Sequence, residues 1–165
     1  MITLVVANQK GGVGKTTTAL NLAASLSAAS RKVLLIDLDS QKNASSASGV
    51  DNITSKLSLL DALVDDKPIN SLILKTDYKF DIIPASQDLI SAEMELMNAN
   101  NPTSILKEKL SVIKNKYDYL VIDCPPSLGM LSVSALRAAD KVLIPLQCEY
   151  SVSYTHLRAH ETYRD

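Results

Sequence analysis

Short runs of apolar residues alternate along this chain with longer segments in which apolar residues recur at helical spacing. Nearly continuous apolar runs of this kind predict strands that are buried on both faces of a sheet. The predicted strands cover residues 2–7, 32–37, 80–84, 119–122 and 142–145. The segments between them are long enough to hold one or more helices each.

Those intervening segments show the spacing of amphipathic helices. A helical pattern begins near Lys15, where later apolar residues match the i, i+3, i+4, i+7 template. The residues that define the predicted helices are Ala19, Leu22, Ala23 and Leu26, then residues 57–64, then Leu89, Ala92, Leu96 and Met97 on one face, then the stripe Leu106, Leu110 and Ile113, and finally residues 131–139.

Two connecting segments have a distinctive composition. Residues 40–55 are polar and rich in Ser and Asn, which predicts a loop with at most one helical turn. Asn101 is predicted to cap a helix whose first residue is Pro102, because asparagine is favoured at the N-cap and proline just after it.

The alternation of strands and helices predicts the α/β class, with a mostly parallel sheet and helices on both faces. Nothing in the 165 residues divides the chain, since neither a repeat nor a linker is evident. A single domain is therefore expected.

Composition excludes several classes of protein. Hydrophobic residues make up 46% and charged residues 21% of the chain, which is typical of globular proteins. The net charge of −1 provides no global basic field, and the aromatic content of 4% supplies few base-stacking platforms. No apolar run approaches the ~18 residues of a membrane helix, and no secretion signal is evident, so we expect a cytoplasmic protein without membrane attachment.

A glycine-rich stretch lies between the first predicted strand and the first helix. Residues 9–17 read QKGGVGKTT. Glycines let backbone N–H groups turn toward an anion, and the N-terminus of the helix adds partial positive charge. Lys15 is placed to reach the β- and γ-phosphates, and the Thr16 hydroxyl is placed to bind Mg²⁺. The sequence therefore predicts a phosphate loop for ATP and Mg²⁺.

Aspartates end the second and fourth predicted strands. The carboxyl ends of parallel strands meet at one edge of a sheet, which places Asp37, Asp39 and Asp123 near the phosphate loop. One of Asp37 and Asp39 is expected to orient water toward the γ-phosphate while the other supports Mg²⁺ or Lys15; the alternative is a capping or loop aspartate. Asp123 is expected to bring a carboxylate to the shell of the metal.

The general phosphate-loop pattern has glycine at position 9, where this chain has Gln9 followed by Lys10. In this respect the loop resembles the deviant Walker A pattern, K-G-G-x-G-K-T. Together with residues 32–45, 80–89, 117–136 and 139–150, it resembles the ParA/Soj family of chromosome and plasmid partitioning ATPases. That resemblance implies a P-loop NTPase-like fold.

The resemblance also implies roles for individual residues. Lys10 would act in trans on the nucleotide of a partner subunit, Asp39 would position the attacking water, and Asp123 would be the Walker B aspartate. Thr16 would bind Mg²⁺ directly, and Lys15 would act on the phosphates. The implied nucleotide-binding residues are Lys10, Gly11, Gly12, Val13, Gly14, Lys15, Thr16 and Thr17.

For the function, the resemblance implies a switch. ATP would close a homodimer, the dimer would bind DNA without sequence preference through a C-terminal region, and a ParB-type partner would trigger hydrolysis. Such a protein would be cytoplasmic and associated with the nucleoid. Two alternatives remain open: a cell-division-site positioning ATPase of the same superfamily, and a truncated fragment that does not hydrolyse ATP.

The last part of the chain departs from the family pattern. We expect residues 1–150 to form the N-terminal part of the ATPase domain, so that the sheet is incomplete at the C-terminus. Residues 151–165 are expected to be an unmatched tail, non-native or disordered, whose His156 and His160 are incidental. Cys124 and Cys148 are expected to be buried thiols. Residues 40–43 read SQKN where the family usually has Pro-Gln-Gly-Asn.

Overall fold

A computed structural model describes residues 1–50, 58–99 and 101–148. The elements in chain order are β1 (Ile2–Val6), α1 (Lys15–Ala28), β2 (Val33–Asp37), α2 (Asn43–Ala47), α3 (Leu59–Leu63), a 3₁₀ turn (Ile69–Leu72), β3 (Leu74–Lys75), β4 (Asp81–Ile83), α4 (Leu89–Met97), α5 (Ile105–Ser111), β5 (Tyr119–Asp123), α6 (Met130–Ala138) and β6 (Lys141–Leu143).

The strands form one sheet in the order β3-β4-β2-β5-β1-β6. All neighbours are parallel except β3, which pairs with β4 in the antiparallel direction. In the register of the three central strands, Val6 pairs with Asp123, and Asp123 pairs with Asp37. The carboxyl ends of these strands are therefore level with one another, which confirms the predicted α/β fold with a mostly parallel sheet.

Helices cover both faces of the sheet, as the alternation of side chains requires. Leu34 and Ile36 of β2 point into a core shared with α3, α4, α5 and α6. Val33 and Leu35 point the other way, into a second core shared with α1 and α2. Every residue of β2 is buried, so its apolar run contributes on both faces, at about 1.5–3 kcal/mol for each fully buried large side chain.

The helix predictions hold with three corrections, of which the first is that Ile113 is buried as predicted but lies beyond the end of α5 at Ser111. Leu89, Ala92 and Leu96 are buried as predicted, but Met97 is 69% exposed because it lies about 100° around the helix from Leu96. Asn101 does not cap a helix: its φ is +58°, its carbonyl accepts the Ser104 N–H at 3.0 Å, and the helix begins only at Ile105. A turn therefore precedes α5.

Other boundaries differ from the predictions in detail. α2 is the single helical turn predicted within the polar segment of residues 40–55. Residues 51–55 of that segment, and residue 57 at the start of the next predicted helix, lie outside the described residues. β6 starts one residue earlier than predicted and ends at Leu143. The two-residue strand β3 was not predicted, since a strand this short carries no periodicity.

The strand β6 contrasts with the fully buried β2. Its three residues are all exposed, and Val142 and Leu143 expose 47% and 38% of their surface.

In the described part of the chain, no helix combines the length and hydrophobicity required to cross a bilayer.

Candidate functional site

The glycine-rich loop joins β1 to α1 at the carboxyl end of the sheet. Gly12 and Gly14 have φ values of +74° and +86°, a left-handed conformation that strains any residue with a Cβ. Gly14 is the N-cap of α1, and no side chain caps the helix there. The free backbone N–H groups of the first turn and the helix dipole therefore favour an anion at this point.

Lys15, the first residue of α1, lies across this loop. Its side chain is buried, and its ammonium group donates a hydrogen bond to the Lys10 carbonyl at 3.0 Å. This contact holds a positive charge over the loop, next to the open end of the helix. A phosphate group is the kind of ligand that matches this arrangement of donors.

Two amide side chains anchor the loop to the segment after β6. Asn8 accepts the Lys10 N–H at 2.9 Å and donates to the Pro145 carbonyl at 2.8 Å. Gln147 donates to the Gly12 carbonyl at 3.1 Å. The sequence did not identify either residue as part of the site. The one local signal was that Asn8 comes directly after the first predicted strand.

Asp123 ends β5 beside the loop and is 1% exposed. Neither of its carboxylate oxygens makes a well-formed hydrogen bond to any described residue, although the Thr16 hydroxyl lies close enough to interact with the carboxylate. Burial raises the pKa of Asp123 to about 7; the neighbouring Thr16 hydroxyl and Lys15 lower it, and the charges of Asp37 and Asp39 raise it. A buried carboxylate without a partner is costly, and a cation is the usual compensation.

These groups fit Mg²⁺. The Asp123 carboxylate and the Thr16 hydroxyl are hard oxygen donors, which Mg²⁺ prefers, and Mg²⁺ in phosphate-transfer sites takes one or two carboxylates plus substrate phosphates. Across residues 1–50, 58–99 and 101–148, no cluster of three or more His, Cys, Asp or Glu side chains forms a metal cage. Any magnesium here would therefore depend on a bound phosphate for further ligands.

Asp37 lies level with Asp123 but is differently engaged. It is fully buried and accepts hydrogen bonds from the N–H of Ser45 at 2.8 Å, from the Ser45 hydroxyl at 2.7 Å and from the Asp39 N–H at 3.0 Å. Burial raises the pKa of Asp37, and these hydrogen bonds oppose the rise. The structure thus gives Asp37 the role of fixing α2 to the end of β2.

Asp39 and Lys10 are the more accessible candidates. Asp39 is half-buried, accepts the Gln41 N–H at 3.0 Å, and is close enough to Asp123 to raise its pKa. Lys10 is exposed at the mouth of the loop. The structure therefore brings Lys15, Thr16, Asp39 and Asp123 to one place and leaves the Lys10 side chain exposed to solvent.

The cysteines do not share one environment. Cys124 is buried as predicted, and burial raises the pKa of its thiol to about 12. Cys148 is exposed, so the prediction that it is buried was wrong; it follows β6, the edge strand whose own residues are exposed. His156 and His160 lie outside the described residues.

Comparison with known proteins agrees with this arrangement. The pattern of the AAA domain family matches residues 1–157. The chain is 52% identical over 150 residues to the chromosome partitioning protein ParA of Myxococcus xanthus, covering 89% of this chain and 52% of that protein. It is 46% identical over 148 residues to the sporulation initiation inhibitor protein Soj of Bacillus subtilis, covering 89% and 58% respectively. The chain thus spans about half the length of the curated relatives it matches.

Solved structures give the same result. Cobyrinic acid a,c-diamide synthase from Mycobacterium smegmatis, with bound ATP analog and magnesium, superposes with a TM-score of 0.87 at 37% identity, covering 98% of this chain and 67% of that one. An ATP complex of McdA from Cyanothece has a TM-score of 0.85 at 31% identity, covering 98% and 62%.

Proposed function

The chain belongs to the AAA domain family and resembles its ParA/Soj partitioning ATPases, and from this premise we propose that it is the nucleotide-binding part of a Mg²⁺-dependent ATPase switch that partitions chromosomal or plasmid DNA. The observation that carries the proposal is the buried Asp123 carboxylate, which lacks a well-formed hydrogen bond and lies beside Thr16, Lys15 and the open N-terminus of α1. This set of groups is complementary to a phosphate chain with bound magnesium.

Binding begins with the backbone. The N–H groups of residues 11–16 surround the phosphates, and the dipole of the 14-residue helix α1 favours their negative charge. Lys15 gives up its hydrogen bond to the Lys10 carbonyl and turns to the phosphate oxygens. That exchange releases the Lys10 carbonyl, while the Lys10 N–H stays bound to the Asn8 side chain.

The metal is held by the chain's own oxygens. Thr16 supplies its hydroxyl, and Asp123 supplies the carboxylate that burial otherwise leaves uncompensated. Mg²⁺, when bound there, neutralises charge on the β- and γ-phosphate oxygens. Asp123, whose pKa burial raises to about 7, would be held in its ionised form by a cation at this position.

Hydrolysis requires an oriented water, for which Asp39 is the candidate. Its carboxylate lies beside Asp123 and remains partly accessible, whereas the Asp37 oxygens already accept three hydrogen bonds. A carboxylate of this kind accepts a hydrogen bond from the attacking water and orients it. Lys10 extends outward, where we propose that it reaches the nucleotide of a second copy and stabilises the transferred charge.

The wider activity follows from the relatives. We propose an ATP-dependent homodimer that acts in the cytoplasm on the nucleoid, is stimulated by a ParB-type partner, and contacts DNA through a region beyond the described residues. Two relatives are named for chromosome partitioning or sporulation control, and a plasmid partition protein from Borrelia burgdorferi superposes with a TM-score of 0.77 at 30% identity. These names support DNA segregation over positioning of the division site.

The decisive experiment compares ATP binding and turnover in the parent chain and in Lys15→Ala. We expect calorimetry to show ATP binding that depends on Mg²⁺, and we expect Lys15→Ala to weaken it by about 1,000-fold, or ~4 kcal/mol. Lys107→Ala, an exposed lysine on α5, is the matched control and should bind like the parent. If ATP produces no heat with a folded parent chain, the proposal is wrong.

A second comparison tests the trans-acting lysine. Lys10→Ala is expected to bind ATP within about twofold of the parent, because only the backbone of Lys10 contacts the loop. Turnover stimulated by DNA should nevertheless fall to the Lys15→Ala level. Unchanged turnover in Lys10→Ala would remove the proposed role, and ATP binding without turnover in the parent would identify a non-hydrolysing fragment.

A further inference from the structure

A basic depression lies at the opposite end of the sheet from the phosphate loop. It has a volume of about 390 Å³ and is lined by residues that precede β2, β4 and β5 and by the end of β3. Five cations line it: Arg31, Lys32, Lys75, Lys79 and Lys116. The five-residue strand β2 separates it from the phosphate loop by about 13 Å of sheet.

The carboxylates in this region are already engaged. Asp81 accepts a hydrogen bond from Lys75 at 2.8 Å and another from the Tyr117 hydroxyl at 2.7 Å. The Asp118 carboxylate accepts the Lys32 backbone N–H at 2.9 Å, and Asp118 donates its own N–H to the Lys32 carbonyl at 2.8 Å. Asp81 and Asp118 therefore both have structural roles. Their two negative charges are fewer than the five positive charges of the cations that line the depression.

Four of the five cations have no ion-pair partner. Within the described ranges, salt bridges occur only at Lys75–Asp81 and Lys109–Asp66. Arg31, Lys32, Lys79 and Lys116 are therefore held close together without compensation, on a chain whose net charge is −1. The C-terminus of α1 stabilises nearby positive charge through its dipole, but that effect is confined to its last turn and explains at most Arg31 and Lys32.

Lys79 supplies an independent observation. Its φ is +65°, in the left-handed region, although glycine or asparagine adopts that conformation at lower cost. The turn is fixed on both sides, because the Thr76 hydroxyl donates to the Phe80 carbonyl at 2.6 Å and the rings of Tyr78 and Phe80 stack at 6.1 Å. This turn places Lys79 at the rim of the depression.

We propose that this depression, which we call the basic depression, binds a phosphate-bearing ligand. Its volume lies within the range of small-molecule sites, and Arg31 provides the planar donor group that pairs with two phosphate oxygens, while the lysines act as point charges. Its concave shape suits one compact phosphate group or chain rather than the flat side of a duplex. The site is independent of the phosphate loop, since it shares no residue with it.

Two sources present this chemistry: a free polyphosphate and the backbone of a nucleic-acid strand. The experiment uses the full chain carrying Lys15→Ala, so that the phosphate loop does not compete. Tripolyphosphate is titrated by calorimetry, and a short single-stranded oligonucleotide of mixed sequence is titrated by fluorescence anisotropy. The test variant adds Lys32→Gln, Lys79→Gln and Lys116→Gln. The matched control adds Lys67→Gln, Lys107→Gln and Lys141→Gln, which changes the net charge equally at exposed positions elsewhere.

We expect the test variant to lose at least about tenfold in affinity and the control to stay within about twofold. The dependence of affinity on salt should also become shallower in the test variant, since fewer phosphates are neutralised. Loss of tripolyphosphate binding identifies a free ligand, and loss of oligonucleotide binding alone identifies a strand. Equal affinities of test and control variants for both probes, or no binding by the parent at millimolar probe, would overturn the proposal.

Lys79→Gly tests the basic depression in a variant that is expected to stay folded, in case the triple variant does not fold. Glycine relieves the left-handed strain at this position, although it adds freedom to the unfolded chain, so we expect the midpoint of thermal unfolding to be kept within a few degrees. We expect its phosphate affinity to fall about threefold for the loss of one charge. Unchanged affinity in this folded variant would contradict the proposal. Because the phosphate loop is disabled throughout, failure here leaves the ATPase proposal intact.

Discussion

The carboxylates at the two ends of the central sheet differ in their hydrogen bonding. At the amino end, Asp81 and Asp118 accept hydrogen bonds from their own chain, and the surplus charge is positive. At the carboxyl end, Asp123 is buried without a partner among the described residues, while Asp37, level with it in the sheet, accepts three hydrogen bonds. The difference separates acids that stabilise the fold from an acid that stabilises it only once a cation is bound.

The largest expected effect comes from removing the charge at Asp123. Its raised pKa means that the native chain binds more protons than the unfolded chain between about pH 4 and pH 7. Stability should therefore fall as the pH rises through that window and level off above it. Asp123→Asn should make this profile shallower, with a remaining slope from Asp37, whose pKa burial also raises, and should raise the free energy of unfolding at pH 8 by about 2–4 kcal/mol in the absence of metal.

Urea unfolding at several pH values measures this effect. The exposed Asp77→Asn is the matched control and should follow the parent at every pH. A parent chain whose stability does not change between pH 4 and pH 7 would show that Asp123 is compensated within the protein, and the contrast between the two ends of the sheet would disappear.

A smaller and opposite effect is expected at Asp37. Ser45→Ala removes the hydroxyl that donates to Asp37 and accepts the Ala85 N–H at 2.9 Å. Because both partners are buried, the free energy of unfolding should fall by about 2 kcal/mol. Chemical denaturation with Ser25→Ala, an exposed serine of α1, as the control checks this; a loss no larger than in the control would mean that Asp37 does not depend on Ser45.

The smallest effect is expected at the amino end. Tyr117→Phe removes one hydrogen bond to Asp81 but leaves the one from Lys75, so the loss of stability should be about 1 kcal/mol, with ATP affinity unchanged. Tyr78→Phe, whose hydroxyl is on an exposed ring, is the control. A change in ATP affinity in Tyr117→Phe would show that the two ends are coupled, which the contacts in this structure do not require.

The features of this structure that depend on local sequence could be predicted from the chain alone. Apolar runs located β2 and β5, and an aspartate directly after such a run located Asp37 and Asp123, because strand ends at one edge follow from parallel pairing. The residues that were missed act across long sequence separations. Gln147 contacts Gly12, and Ser45 links Asp37 to Ala85, and neither contact leaves a pattern in the chain.

Errors in the prediction have specific physical causes. Met97 was assigned to the buried face because it is apolar, although its angular position turns it outward. The residue types alone did not distinguish Asp37, which ends β2, from Asp39, which follows it; only the family resemblance assigned the attacking water to Asp39. In the structure their hydrogen bonds separate them: Ser45 donates twice to one Asp37 oxygen and the Asp39 N–H donates to the other, while the Asp39 side chain stays more accessible.

The shared register of Val6, Asp123 and Asp37 also constrains what changes the chain can tolerate. Side chains alternate between the faces of a strand, and Asp123 shares the α1 face with Val121. Deleting one residue from β5 would therefore turn the carboxylate to the opposite face, away from the phosphate loop. Insertions and deletions within β5 should abolish nucleotide binding, while length changes in the surface turn at residues 77–79 should leave it intact.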